Sequence, residues 1–249
     1  MINKNISADE IWIKGPEVFL DFVQQLMNEY HSKTGKYPPS FEELDSLYPN
    51  NDYFHYSKGE NYTYEIITVS KDFYHVVSKN NEGLRNYKIT SEMRYPMMIF
   101  KDEKDRKKAK KTLLKKLKEG AVSEQRDLIN TLRHFPDKDI KLYLIKKIKD
   151  VKEDERVKYE ASYVLKDIAV QTDNFLISPL LDILAHQGVY NSAYIKLNIL
   201  HIFAIIKDPV VLPAVHKLAD EEKDMPYYPI KTTAENLIKE LEDEKRKER

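Results

Sequence analysis

Seven histidines could serve as bases or metal ligands in this 249-residue chain: His31, His55, His75, His134, His186, His201 and His216. No two stand four residues apart with a glutamate between them, and no His/Asp/Glu cluster has metal-ligand spacing, so no metal site is expected. Carboxylates are plentiful, but none is paired off for acid–base work, and no GxSxG elbow supplies a nucleophile. Cysteine is absent, which removes thiol chemistry, cysteine-ligated zinc and disulfides. The six glycines form no phosphate-cradling loop. The expectation is a chain without catalytic activity and without a cofactor.

Lysine clustering offers a different chemistry. Residues 101–118 hold ten Lys/Arg against three Asp/Glu, although the whole chain balances 41 against 41. On a helix, Lys107, Lys108, Lys111, Lys115 and Lys118 fall away from Leu113, Leu114 and Leu117. Lys141, Lys146 and Lys147 would carry the charge onward to a later helix. Such a surface suits an acidic protein, a phosphate backbone or an anionic lipid. A solvated terminal cap explains the same residues more simply.

These side chains need elements to hold them, and the elements change character near residue 100. Residues 1–100 carry 17 of the 27 aromatics and four of the six glycines, whereas 101–249 read as helix almost throughout. That shift marks a domain boundary. In the first part, Phe19, Phe22, Val23 and Leu26 give Pro16–His31 a helical period, with Gly35 fit for a left-handed cap. Ser40 and Glu43 form a capping-box pattern that opens a short helix through Leu47. The period then drops to two in Tyr62–Val69 and Phe73–Val77, joined by the hairpin loop Ser70–Asp72. Asn80–Gly83 marks a turn, and Tyr87–Thr90 a third strand.

In the second part, aspartates recur at 105, 139, 173 and 208, at intervals of 34, 34 and 35, each near the start of a helical segment. Each opens a pair of helices interrupted by a break: Gly120, Asp150–Asp154, Gly188 and Met225–Pro229. The pair from Phe175 to Ile206 is apolar nearly all round, as an internal repeat should be.

Two family resemblances follow. Tyr30, Thr34, Gly35, Tyr37, Pro38, Ser40, Leu44 and the Tyr62/Tyr64 strand make residues 16–90 similar to the globular head of type IV pilins and type II secretion pseudopilins. Nothing before Pro16 resembles the apolar anchoring helix of a pilin, and Lys79–Asn86 lacks a pseudopilin calcium loop, so neither filament assembly nor calcium is carried over. Residues 105–241 resemble HEAT repeats. Val157–Ile168 and Ile230–Leu241 look like second helices, and Asp208–Val215 like a first helix with its mid-helix proline, Pro213. That resemblance implies a right-handed stack of about four helix pairs whose second helices line the concave side.

Aligning those second helices on Leu132, Leu165, Leu200 and Ile238 places three rows on the inner surface. They are Arg126, Tyr159, Tyr194 and Thr232; then Asn130, Tyr163, Asn198 and Asn236; then Arg133, Lys166, His201 and Lys239. Asparagine offers a paired donor and acceptor to an extended backbone, tyrosine adds flat contact, and the basic row would select acidic side chains.

The expected fold is a small α+β domain over 1–100, with a long helix, a short helix and an antiparallel meander. An all-α solenoid of about four HEAT-like pairs follows over 101–249. The expected role is a non-enzymatic scaffold or adaptor that takes an extended or acidic protein segment on its concave face. The alternatives are nucleic-acid binding through the lysine-rich first repeat and an envelope, secretion-associated component whose anchor lies upstream. A HEAT-like DNA glycosylase is the least supported, since Trp12 lies outside the array. No run reaches the roughly 18 apolar residues of a membrane span, and a cytoplasmic location is the default.

Overall fold

The computed structural model describes residues 16–46, 62–80, 86–93, 95–120, 122–186, 193–222 and 229–247. The chain divides into two compact units, Met1–Arg106 and Lys107–Arg249. The first contains a small four-stranded antiparallel sheet, and the second is helical.

The first unit starts with α1 (Pro16–Thr34), whose Phe19, Val23, Leu26, Met27 and Tyr30 recur at three- and four-residue spacing and are all buried. They meet Leu44 of α2 (Phe41–Ser46), Tyr74 and Val76 of β2 (Tyr74–Asn80), and Tyr87 and Ile89 of β3 (Tyr87–Thr90). Each such side chain contributes about 1.5–3 kcal/mol when withdrawn from water. β1 (Tyr62–Val69) pairs with β2, β2 with β3, and β3 with β4 (Met97–Met98), a strand the sequence period misses. A bulge between Ile66 and Thr68 resets the alternation of β1. Ile66 and Val69 both pack on the core, while Ile67 is left 46% exposed.

The Thr34–Ser40 segment is a splice between α1 and α2. Gly35 adopts φ +74° and its N–H donates to the His31 carbonyl, ending α1 in the left-handed turn that glycine takes at least cost. Ser40 Oγ accepts from the Glu43 N–H at 3.3 Å, and the Tyr30 hydroxyl donates to the Glu43 carboxylate. Tyr37 packs edge-on against the buried Tyr74 at 4.7 Å. Leu47 and the Asn80–Gly83 turn beyond Asn80 lie outside the described residues.

The second unit begins in α3 (Glu103–Glu119) and continues with α4 (Val122–Thr131), α5 (Lys138–Lys149), α6 (Glu155–Ile168), α7 (Ile177–Ala185), α8 (Ala193–Ile206), α9 (Leu212–Glu221) and α10 (Ile230–Lys247). α4 packs on α6, α6 on α8 and α8 on α10, while α5 packs on α7 and α7 on α9. The pairs α5/α6, α7/α8 and α9/α10 join the two rows. Among the described residues no helix is long and apolar enough to cross a membrane.

The recurring aspartates have distinct local duties. Asp208 accepts the Val210 N–H at the start of a 3-10 turn, Pro209–Val211, and Asp173 precedes a second such turn, Asn174–Leu176. Because that turn comes first, Pro213 is the second residue of α9 rather than a mid-helix proline, at a position where no hydrogen bond is lost. Asp105 lies inside α3 and donates its own N–H to Asp102 Oδ1. Asp137 and Asp139 both take the ammonium of Lys110, at 2.8 and 3.0 Å. Burial depresses the Lys110 pKa, but the two carboxylates outweigh it and hold the ammonium above its ordinary value.

Candidate functional site

Asp154 caps α6 by accepting the Arg156 N–H, which is worth about 1 kcal/mol to a helix of this length. The helical period then puts Val157, Ala161, Val164 and Ile168 into the core. Tyr159, Tyr163 and Lys166 form a line at i, i+4 and i+7 on a more exposed side. Tyr194, in the first turn of α8, brings its ring edge-on to Tyr159 at 4.8 Å, and Tyr163 lies 6.3 Å from Tyr159. Lys166 places its ammonium 4.0 Å from the centre of the Tyr163 ring, a cation–π distance, and 3.8 Å from Asp167.

Glu160 stands behind these rings with only 6% of its surface exposed. Asn130 of α4 donates its amide to one carboxylate oxygen, and Arg126 approaches the other at 3.9 Å. Arg133 donates to the Asn130 side-chain oxygen and, at 3.2 Å, to its backbone carbonyl. Burial raises the Glu160 pKa above 4.5, against the pull of Arg126 and Arg133. Burial also raises the Tyr159 phenol, helped by the charge on Glu160.

Seven of the twelve residues expected on the inner surface therefore gather over α4, α6 and α8: Arg126, Asn130, Arg133, Tyr159, Tyr163, Lys166 and Tyr194. Leu132 and Arg133 belong to a 3-10 turn, because α4 ends at Thr131. Thr232, Asn236 and Lys239 are exposed on α10, which packs against α8, and His201 is exposed on α8 itself.

Asn198 departs from the expectation. It is buried, 6% exposed, and its amide donates to Ser162 Oγ at 2.9 Å instead of facing outward. The cause is register. The buried set Val157, Ala161, Val164 and Ile168 of α6 matches Ile195, Ile199, Ile202 and Ile206 of α8, a constant offset of 38. It matches Ile230, Ala234, Leu237 and Leu241 of α10 at an offset of 73. Phe203, not Leu200, is the counterpart of Leu165, so Asn198 falls opposite Glu160. Sequence reasoning missed Glu160 and Ser162. Their signal was present, since Glu160 lies three residues after Val157 and four before Val164, on the apolar side.

The basic surface is also smaller than expected. Lys107, Lys108, Lys111, Lys115 and Lys118 are exposed on α3, and Lys146 is exposed on α5. Lys141 is not part of a surface: it is 4% exposed and paired with the buried Asp173, because it shares a helix face with Ile145 and Ile148. Lys147 bonds Glu153 and Gln125.

The described histidines are dispersed. His31 faces Asp72 at 3.9 Å, His186 pairs with Asp182, His216 lies near Glu242, and His134 is buried. His55 lies outside the described residues. Among the described residues no three His, Cys, Asp or Glu side chains are grouped to hold a metal ion. In the first unit, Thr34, Gly35, Tyr37, Pro39, Val69 and Lys71 border an open recess of about 540 Å³. No family model, no curated protein and no solved structure matches the chain.

Proposed function

We propose that the chain is a non-enzymatic interaction protein, and that its second unit is an α-solenoid of HEAT-like pairs receiving a protein segment on the row α4, α6, α8 and α10. The two-row packing supports the solenoid reading, since each helix pair alone would leave an apolar stripe in water. One observation carries the binding reading: Tyr159, Tyr163 and Tyr194 form a ring cluster beside Lys166 and Arg126, with Tyr194 43% exposed. Tyrosine gives broad contact while fixing only two side-chain torsions, and its hydroxyl bonds a passing backbone. The cations nearby favour an acidic residue in that segment.

A photoreactive phenylalanine analogue in place of Tyr194 tests the reading, with Lys217 on α9 as an exposed control. Cross-links to one partner peptide from position 194, absent from 217 and lost in Tyr159→Ala/Tyr163→Ala, are expected. Equal labelling from both positions would remove the tyrosine cluster as the site.

A further inference from the structure

Five of the exposed lysines of α3 form a ridge. At 3.6 residues per turn, Lys107, Lys108, Lys111, Lys115 and Lys118 fall within an arc of about 100° and extend along roughly 16 Å of axis. All five are exposed, while Leu113 and Leu117 on the opposite side are buried. The carboxylates of α3 are confined to its first turn, Glu103 and Asp105, and its last residue, Glu119. Among the described residues, no carboxylate pairs with Lys108, Lys111, Lys115 or Lys118.

Several other exposed helix faces among the described residues are built differently. They interleave opposite charges: Lys33 with Glu29, Lys217 with Glu221, Lys231 with Glu235, and Arg246 with Asp243. α3 instead sets Lys111 against Lys115 at i, i+4, an arrangement that destabilises a helix. Solubility alone does not call for that cost, because mixed charges serve it. A ligand with its own line of negative charge relieves it.

We infer that this ridge binds the phosphodiester backbone of a nucleic acid, without reading its sequence. The shape favours this occupant: five lysines follow one strip of the helix, and α3 has no aromatic residue on which bases could stack. The apolar side of α3 is already buried, so it has no hydrophobic face to lay into a membrane. This inference does not depend on the tyrosine cluster of α6 and α8.

Binding of the full chain to a short duplex of mixed sequence and to an oligothymidylate, read by fluorescence anisotropy, tests it. Four phosphate contacts, from Lys108, Lys111, Lys115 and Lys118, predict a log–log salt slope of about −3.6 on the duplex, or about a 150-fold loss between about 50 and 200 mM salt. Replacing Lys108, Lys111 and Lys115 together by Gln should flatten that slope to roughly −0.9. Glutamine is a good helix former, so circular dichroism should show α3 intact. Lys217→Gln/Lys231→Gln should leave the slope unchanged. No binding at low salt, the same slope in the triple variant, or binding confined to phosphatidylserine vesicles would overturn the inference.

Discussion

The side-chain amide of Asn198 donates to Ser162 Oγ at 2.9 Å, and Ser162 in turn donates to the Tyr159 carbonyl at 2.7 Å. This short chain of hydrogen bonds ties α8 to α6 beneath the tyrosine rings, so the geometry of the exposed cluster depends on a buried link. α6 and α8 otherwise meet through apolar side chains such as Val164, Ile195 and Ile199, which carry no directional bond. A directional bond between Asn198 and Ser162 fixes the register.

Ser162→Ala should destabilise the second unit by about 1–3 kcal/mol, the usual cost of a buried donor stripped of its acceptor. Asn198→Leu with Ser162→Ala removes both ends and should cost less than the two single changes summed. Urea unfolding of the four chains in a double-mutant cycle measures the coupling. Additive effects would mean that the bond does not set the register.

A second buried link ties α5 to the segment that precedes α7. Lys141 and Asp173 are nearly inaccessible, and Asp173 also accepts the Val170 N–H at 2.9 Å. Lys141→Met fills the space but leaves a carboxylate buried without its counter-ion, which should cost roughly 3–5 kcal/mol. Asp173→Asn added to Lys141→Met removes that charge and should recover part of the loss. A cost below about 1 kcal/mol for Lys141→Met would show water reaching the pair, since screened surface pairs contribute no more than that.

These two links show where the sequence was readable. α1, the β1–β2 hairpin and the Gly35 turn are written in local period and local turn chemistry, and the structure has them within a few residues of their expected bounds. β4 is two residues long and carries no period to detect. Asn198 was misplaced because α8 is apolar on nearly every side, so its own sequence does not select which face points inward. Lys141 read as surface charge because its partner is 32 residues away. Of the candidate site, Tyr159 and Tyr163 stand four residues apart on α6, whereas Tyr194 was placed through a Leu165–Leu200 alignment that the buried faces of α6 and α8 do not keep. Glu160 lies on the apolar side of α6 and was in that sense readable, but its partners Arg126 and Asn130 are identified only by the packing of α4 on α6.

Glu160 gives that site a pH dependence whose sign is fixed. Its carboxyl holds its proton to higher pH in the folded chain than in the unfolded one, because burial opposes the charge more than Arg126 and Arg133 favour it. The native state then binds more protons across the interval from 4.5 up to the folded pKa, so this group's contribution to stability is full below 4.5 and is lost as pH rises through that interval. Glu160→Gln keeps an oxygen for the Asn130 amide and removes the charge. The variant should match the parent in acid and exceed it at neutral pH, with urea midpoints that separate only as pH rises. The Tyr159 phenol, raised in part by the Glu160 charge, should also titrate at lower pH in the variant, which ultraviolet absorbance reads directly. A stability offset that is constant with pH, together with an unmoved Tyr159, would mean that the arginines compensate the carboxylate fully. The charge would then be a fixed part of the α4–α6 contact instead of a load that protonation relieves.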